Sequence, residues 1–265
     1  MTSTVRYAAG SDIGRRRAAN QDSAYTSPRL LAVADGMGGH AHGEIASAIA
    51  VTAVADLDAE LRDVDLAQVD LLGTLSGAVT AAARRLTEAA GGNAELSGTG
   101  TTLVAVLVDG TRLGLAHVGD SRAYLLRDGE LEQLTHDHTL VQTLVDEGRL
   151  TPDEAADHPR RSVLVRTLQE GTPAEPDLIP VDARVGDRLL ICSDGVTAVL
   201  ADAEIRQVLV ESAEPADAVD RLIALANERG GPDNITCVVA DIVPGEPVAS
   251  EGRFFGAAED QLSRG

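Results

Sequence analysis

Four Asp-Gly pairs occur in the sequence, and a tight turn explains only two of them. Asp-Gly ordinarily marks a turn, because Asp caps the local backbone and Gly accepts a positive φ. That explanation suits the pairs at Asp109 and Asp128, which lie between strand-like runs. Asp35 and Asp194 instead end the apolar runs LLAVA and RLLICS, and a glycine loop or a helical segment follows. A carboxylate at the end of a buried strand is well placed to bind a hard cation.

Two further carboxylates stand in similar settings. Asp120 lies in HVGDSR between two strand-like runs, and Asp233 lies in GGPDNIT directly before the last one. Each alone is more typical of a turn or a cap than of a ligand. Together with Asp35 and Asp194 they could converge at one edge of the sheets, and the chain has no Lys to neutralise them. Metal ions would stabilise such a cluster, and an oxygen-only donor set favours Mg²⁺ or Mn²⁺ over zinc or copper.

A pair of such ions would supply a defined chemistry. Two metals about 3.5–4 Å apart can polarise a bridging water and hold a phosphoryl oxygen. The polarised water then hydrolyses a phosphate ester without a covalent enzyme intermediate. The formal charge is −20, from 42 acidic and 22 basic side chains. The negative electrostatic potential that this charge creates disfavours binding to nucleic acids and to membrane surfaces. An anionic substrate would therefore need local positive charge at its binding site. The metals and the run 15–17 of three arginines would provide it.

Length and composition indicate one large domain, or at most two small ones, in 265 residues. Hydrophobic residues make up 44% and aromatic residues only 2%, so the core rests on Val, Leu, Ile and Ala. Cys192 and Cys237 lie in apolar runs, which favours buried free thiols over a disulfide or a zinc pair. The first residues lack the pattern of a signal peptide, and no apolar stretch reaches the length of a membrane span. We therefore expect a cytoplasmic protein.

Hydrophobic periodicity predicts alternating short strands and longer helices. The predicted strands are 30–34, 101–108, 112–118, 123–127, 188–193 and 235–242. The predicted helices are 43–61, 67–90, 139–147, 202–212 and 216–229. The central strands are joined by connections too short for crossover helices, so the sheet is antiparallel and the fold class is α+β. Residues 136–170 are predicted to be an insertion over a surface, and residues 244–265 a flexible polar tail outside a domain of residues 1–243.

Six ordered motifs carry a family resemblance: SDIGRRRAANQDS, LLAVADGMGGH, GTGTTL, HVGDSRAYLLRDG, LLICSDGV and GGPDNIT. Over about residues 5–242 they resemble the metal-dependent Ser/Thr protein phosphatases of type 2C, the PPM family, and especially its bacterial branch. The resemblance implies a four-layer α-β-β-α sandwich with two central antiparallel sheets flanked by helices. It also implies hydrolysis of phosphoserine and phosphothreonine on proteins, in opposition to eukaryotic-type Ser/Thr kinases.

The resemblance further implies a set of metal ligands. Asp35 would bridge two core Mn²⁺ or Mg²⁺ ions, and the carbonyl of Gly36 would bind one of them. Asp194 and Asp233 would be direct ligands of this core pair. A third, weaker ion would be held by Asp120 and would share Asp194. Ser162 would contact that third ion as well.

Other residues would bind substrate or support the metals. Arg17 matches the arginine that grips the substrate phosphate, and Asp22 matches a carboxylate that orients water at the metals. Residues 136–170 correspond to the family's flap, which influences substrate access. Many relatives have Glu where this chain has Gln21, so we expect weaker retention of one core metal or a shifted pH optimum. His40 could protonate the leaving oxygen, or it could merely cap the following helix.

Alternatives to an active phosphatase are distinguishable. A pseudophosphatase would bind phosphoproteins without hydrolysing them; Asp35, Asp194 and Asp233 speak against it and Gln21 speaks for it. A phosphatase that forms an aspartyl-phosphate would need a Lys partner, which the chain lacks. The expected partners are phosphorylated proteins, including a Ser/Thr kinase and its substrates. We expect a monomer that binds no nucleic acid and does not insert into a membrane.

Overall fold

The computed structural model describes residues 2–38, 42–246 and 250–263. Within these ranges the strands are β1 (Ser3–Asp12), β2 (Asp22–Thr26), β3 (Leu30–Met37), β4 (Gly100–Thr101), β5 (Leu103–Asp109), β6 (Arg112–Val118), β7 (Arg122–Arg127), β8 (Glu130–Gln133), β9 (Leu168–Gln169), β10 (Asp177–Asp182), β11 (Arg188–Cys192), β12 (Ile235–Pro244) and β13 (Arg253–Gly256). The α-helices are α1 (Gly43–Glu60), α2 (Leu71–Gly92), α3 (Leu140–Asp146), α4 (Pro152–Ala156), α5 (Asp194–Thr197), α6 (Asp202–Glu211), α7 (Pro215–Glu228) and α8 (Ala257–Leu262). None of these described helices is long and apolar enough to cross a lipid bilayer.

The strands form two sheets. The smaller has the order β1-β12-β11-β7-β8, and the larger has the order β10-β6-β5-β3-β2-β13. The short strands β4 and β9 extend the larger sheet beside β3. The pairings that build these two sheets are antiparallel, as the short connections predict.

Three hydrophobic clusters hold four layers together. Leu75 of α2 packs with Leu107 in the cluster between the helices α1 and α2 and the larger sheet. Val33 and Val238 belong to the cluster between the two sheets, and Leu222 of α7 belongs to the cluster outside the smaller sheet. Because the larger sheet is covered on both faces, its central strands read as continuous apolar runs. The fold is therefore the predicted α-β-β-α sandwich.

Helix α2 begins later than the periodicity predicts. The side chain of Asp70 accepts a hydrogen bond from the backbone N–H of Gly73 at 3.1 Å and so caps the helix at its N-terminus. Residues 66–68 form a separate 3₁₀ turn. An aspartate cap competes with continuation of the helix toward its N-terminus, which the apolar spacing alone does not reveal.

Strands β1, β2 and β10 are not among the strands that hydrophobic periodicity predicts. Strand β1 pairs with β12 over ten residues at the edge of the smaller sheet, and most of its side chains are only partly buried. Strand β10 forms the corresponding edge of the larger sheet, and its exposed positions alternate with partly or fully buried ones. Edge strands of this kind carry polar residues and lack the long apolar run that marks a central strand.

The C-terminal segment differs from the predicted flexible tail. Residues 253–256 pair with β2, and the ring of Phe254 lies 5.0 Å from the ring of Tyr25. Phe254 packs against the cluster under α1 and α2, whereas Phe255 packs against the cluster between the sheets. Neighbouring residues of a strand face opposite sides, so this pair of phenylalanines anchors β13 on both faces. Residues 253–262 are therefore part of the packed domain.

Candidate metal centre and active site

Carboxylates from separate strands meet at one end of the two sheets. Asp35 lies near the end of β3, directly opposite Asp22 in the β2–β3 register. Asp194 follows β11, Asp120 lies between β6 and β7, and Asp233 precedes β12. These carboxyl groups are close enough that the charges of neighbouring aspartates add to the effect of burial and raise the pKa values of Asp22, Asp35, Asp120 and Asp194. The fold thus brings together the four aspartates that the sequence singles out.

Two threonines fix the backbone of Asp35. Its N–H donates to the hydroxyl of Thr102 at 2.9 Å, and its carbonyl accepts from the N–H of Thr102 at 2.9 Å. The hydroxyl of Thr101 donates to the same carbonyl at 2.9 Å. Burial raises the pKa of Asp35 well above its ordinary value, and the charges of Asp22 and Asp194 raise it further.

Asp194 opens helix α5 immediately after Ser193. The N–H of Ser193 donates to the carbonyl of Thr236 at 3.0 Å, which holds the end of β11 against β12. Burial raises the pKa of Asp194 to about 6, with a further contribution from the charge of Asp233. The buried atom Oδ1 of Asp194 has no hydrogen-bond partner among the described residues.

Asp22 belongs to the same cluster of carboxylates and is 1% exposed. Its Oδ2 accepts a hydrogen bond from the hydroxyl of Ser193 at 2.7 Å, whereas its buried Oδ1 has no partner in the described structure. Burial raises the pKa of Asp22 to about 7, although the hydrogen bond from Ser193 opposes this change. A carboxyl group with this environment gains from a nearby cation.

Asp120 and Ser162 line one cleft. The cleft has a volume of about 500 Å³, and Asp194 and Arg161 also contribute to its wall. Burial raises the pKa of Asp120 to about 7, and the charge of Asp194 adds to that effect. Ser162 comes from the flap, whose helices α3 and α4 also contribute residues to the lining of the cleft.

Arg17 reaches the cluster from the loop between β1 and β2. Its Nη2 donates to Oδ2 of Asp233 at 2.5 Å, and its side chain remains 49% exposed. The hydrogen bond to Asp233 raises the pKa of Arg17. Arg15 turns toward Asp12 instead, at 3.7 Å. Arg17 therefore offers a half-exposed guanidinium beside the carboxylates.

Gly36 occupies a space that no larger residue would fit. A β-carbon at Gly36 would lie 2.0 Å from the carbonyl oxygen of Gly43 and 2.6 Å from that of Gln21. The N–H of Gly36 donates to the carbonyl of Gln21 at 3.1 Å. The loop after Asp35 is thereby held against the start of α1.

Sequence reasoning missed several residues that support this centre. Glu44 accepts from the side-chain amide of Gln21 at 3.3 Å. Asn234 accepts from the N–H of Gln21 at 2.9 Å and donates to the carbonyls of Ile13 and Ala19. Asn234 adjoins Asp233, and Ser193 adjoins Asp194, so a polar neighbour of a strand-end aspartate was the available signal. Glu44 had no such signal, because an acidic residue in the first turn of a helix is ordinary. His40 lies outside the described residues.

The chemistry of this donor set fits divalent cations. Buried carboxylates with raised pKa values repel one another, and two buried oxygen atoms, on Asp22 and Asp194, have no partner among the described residues. Oxygen donors with net negative charge are the ligands that Mn²⁺ and Mg²⁺ prefer. A hard cation would satisfy these atoms and offset the repulsion.

Known proteins resemble this chain over most of its length. The family model for protein phosphatase 2C matches residues 9–237. The serine/threonine protein phosphatase PstP of Mycobacterium tuberculosis is 49% identical over 266 residues, which cover 99% of this chain and 50% of that protein. The chain thus spans about half the length of that relative. The serine/threonine phosphatase stp of Listeria innocua is 34% identical, covering 87% of this chain and 93% of the relative.

Solved structures agree with the sequence comparison. The M. tuberculosis phosphatase PstP/Ppp superposes with a TM-score of 0.86 at 51% identity, covering 91% of this chain and 100% of that one. The catalytic domain of PstP in complex with two manganese ions gives a TM-score of 0.84 at 50% identity, covering 92% and 100%. The similarity in fold and in sequence therefore extends across the region that carries the aspartate cluster.

Proposed function

The chain belongs to the protein phosphatase 2C family, and from this premise we propose that it hydrolyses phosphoserine and phosphothreonine esters on other proteins with the help of Mn²⁺ or Mg²⁺. The observation that carries this proposal is the cluster of buried, mutually repelling carboxylates at Asp22, Asp35 and Asp194. Buried carboxylates of this kind destabilise the folded protein unless cations are bound. Bound cations are also what metal-assisted hydrolysis of a phosphate ester requires. The manganese complex of PstP supports the choice of metal.

In this proposal Asp35, the carbonyl of Gly36, Asp194 and Asp233 hold two core ions. When bound, the ions supply Lewis-acid polarisation of water and of a phosphoryl oxygen. The threonines that hydrogen-bond the backbone of Asp35 keep its carboxylate fixed without occupying its oxygens. Asp22, which Ser193 anchors, would orient water at the ions, and Gln21, which donates to Glu44, would assist it.

A third, weaker ion would lie in the cleft between Asp120 and Ser162. Both residues line the same cleft as Asp194, which supports a shared ligand. The flap supplies part of the wall of this cleft and would thereby link substrate access to this third position.

Arg17 binds the substrate phosphate in this scheme. Its guanidinium is half-exposed beside Asp233, where an incoming phosphate would meet a donor that can form two parallel hydrogen bonds. Arg17 would exchange its contact with Asp233 for the substrate. His40 is the candidate proton donor to the leaving serine or threonine oxygen.

The proposed partners follow from this chemistry. They are phosphorylated proteins of the cytoplasm, including a Ser/Thr kinase and its substrates, and the chain acts on them as a monomer. The names of the relatives support protein substrates, since both PstP and stp are called serine/threonine phosphatases.

The test is hydrolysis of p-nitrophenyl phosphate and of a phosphothreonine peptide, with and without Mn²⁺. Asp35→Asn should abolish turnover, whereas Asp109→Asn should retain it, because Asp109 is an Asp-Gly aspartate in the β5–β6 hairpin turn. Turnover by wild type that requires metal supports the proposal. If metal-loaded wild type binds the phosphopeptide but is no more active than Asp35→Asn, the pseudophosphatase reading replaces it.

A further inference from the structure

We propose that His138 is a positioning residue that holds Asp120 in place, an inference that rests on the proposed role of Asp120 as a metal ligand. His138 lies near the start of the flap, and its side chain is 6% exposed. It lies outside the carboxylate cluster, and it contacts the loop that carries Asp120.

His138 grips Gly119, the residue directly before Asp120, at two points. The N–H of His138 donates to the carbonyl of Gly119 at 2.8 Å, and the N–H of Gly119 donates to Nδ1 of His138 at 3.0 Å. On its other side Gly119 meets Thr102: a β-carbon at Gly119 would lie 2.5 Å from Cγ2 of Thr102. Gly119 also has a φ of +109°. The backbone before Asp120 is therefore wedged between His138 and the threonine that fixes Asp35.

The hydrogen bonds define the tautomer of His138. Because Nδ1 accepts from an amide, the proton of the neutral ring lies on Nε2. That proton is donated to Oδ2 of Asp177 at 3.0 Å. Arg166 donates to Oδ1 of Asp177 at 2.6 Å. Arg166 Nη1 also lies 3.0 Å from Nε2, but both atoms carry protons in this tautomer, so that contact is not a hydrogen bond. Asp177 thus orients the ring, as outer carboxylates orient histidines near metals.

His117 supports the ring by stacking. The two imidazoles are 4.6 Å apart with planes inclined by 30°, and neither nitrogen of the buried His117 has a partner among the described residues. Ligand atoms of His117, His138 and Asp177 lie within 4.8 Å of one another, a spacing that a cation could use. Stacked rings direct their lone pairs side by side instead of toward one point, and the guanidinium of Arg166 lies at Asp177. These features favour a hydrogen-bonded clamp over a metal site.

The two ends of the flap meet at the same residue. The N–H of Val165 donates to the carbonyl of His138 at 2.9 Å, and Thr139 forms an isolated bridge with Leu164. Arg166 follows at once and reaches Asp177. One histidine therefore joins the base of the flap to the backbone of Gly119, directly before Asp120. A disturbance at the base of the flap is thereby transmitted to the third metal position.

The test compares Mn²⁺ binding by His138→Leu and His138→Asn, using calorimetry on the whole chain. Leu removes the acceptor for Gly119, whereas the side-chain oxygen of Asn can take the place of Nδ1. Loss of a residue that orients a ligand commonly weakens metal binding about 10–100-fold. We expect at least about a 10-fold weakening of the weakest Mn²⁺ site in His138→Leu, with the tighter sites unchanged. His138→Asn should retain most of the affinity. His136→Asn, at an exposed histidine of the same flap, should match wild type.

Amide hydrogen exchange of Gly119 supplies a readout that does not depend on metal. Exchange should be slow in wild type and faster in His138→Leu, since the acceptor of that N–H is gone. A folded His138→Leu with unchanged weak-site affinity and unchanged Gly119 exchange overturns the inference. If His138→Leu does not fold, Asp177→Leu provides the test, because Asp177 is partly exposed and its loss removes the partner that orients the His138 ring. Unchanged affinity of the weakest Mn²⁺ site in Asp177→Leu would also overturn the inference. If wild type binds no Mn²⁺ at all, the proposed function itself fails, which is a distinct result.

Discussion

Gly36 and Gly43 are packed so closely that a β-carbon on Gly36 would lie 2.0 Å from the carbonyl oxygen of Gly43. Gly36→Ala must therefore push the loop after Asp35 away from helix α1. We expect the free energy of unfolding to fall by about 3 kcal/mol and Mn²⁺ binding to weaken with it. Chemical denaturation and Mn²⁺ titration measure the two effects.

Gly77 is the matched control. It lies in the middle of α2 with nothing within 4 Å of a β-carbon, so Gly77→Ala should stabilise the protein by about 0.5–1 kcal/mol through helix propensity. Equal effects of the two substitutions would contradict the argument from close packing.

Removing one buried carboxylate should stabilise the metal-free protein while abolishing metal binding. Asp35→Asn eliminates a desolvated charge and its repulsion with Asp22 and Asp194. We expect the free energy of unfolding of the metal-free variant to exceed that of metal-free wild type by roughly 1–3 kcal/mol. The metal-free variant should therefore unfold at a higher temperature. Mn²⁺ should raise the melting temperature of wild type but not that of the variant. A variant less stable than wild type without metal would show that the repulsion is not significant.

The same carboxylates set the pH dependence of the metal-free protein. The pKa values of Asp22 and Asp120 are raised to about 7 and that of Asp194 to about 6, against about 4 in the unfolded chain. Between these values the folded state binds more protons than the unfolded state, so stability falls as pH rises. We expect the melting temperature without metal to decrease from pH 5.5 to pH 8, and Mn²⁺ to reverse the decrease at pH 8. The slope should be smaller in Asp35→Asn; a rise of melting temperature over this range in wild type would refute the assignment.

Gln21 and Glu44 form a pair whose charge can be exchanged. Gln21→Glu places a second carboxylate opposite Glu44, whose Oε2 lies 3.3 Å from Nε2 of Gln21. We expect a lower melting temperature without metal and several-fold tighter Mn²⁺ binding, because added negative charge repels Glu44 and attracts the cation. Adding Glu44→Gln to that variant should restore the metal-free melting temperature. Independent, additive effects in this double-mutant cycle would show that the two side chains do not interact.

The sequence motifs predicted the aspartates of the site, but they did not predict the residues that hydrogen-bond with them. Asp35 and Asp194 could be assigned to strand ends because apolar runs precede them. The contact between Ser193 and Asp22 joins residues 171 positions apart, and no local pattern in the sequence predicts it. The grip of His138 on Gly119 depends on the fold of the flap in the same way. Most central strands were visible from their apolar runs, but the buried strand β2 was not, because its sequence DSAYT is mostly polar. The strands β1, β10 and β13 were not visible either, since edge positions tolerate polar residues.

Strand β13 and helix α8 should contribute measurably to stability. Truncation after Glu246 removes Phe254, which packs on Tyr25, and Ala258, which is 2% exposed. We expect a loss of roughly 2–4 kcal/mol from the buried apolar surface, or about 4–16 °C in melting temperature. Leu262→Ser is the control, because Leu262 is 61% exposed and should leave the melting temperature unchanged. If the truncated chain had the same melting temperature as wild type, this segment would contribute nothing to the stability of the core.

The larger sheet ends on one side at β13 and on the other at β10. Without β13, the fully buried strand β2 would present its unpaired backbone groups to neighbouring molecules. β13 replaces that surface with only four residues that begin with Arg253, and β10 carries Pro180, which has no N–H to donate. Short, charged or proline-bearing edges are poor templates for pairing between chains. The edge strands β13 and β10 therefore disfavour aggregation through pairing of strands between molecules. This effect is separate from any role in binding metal or substrate.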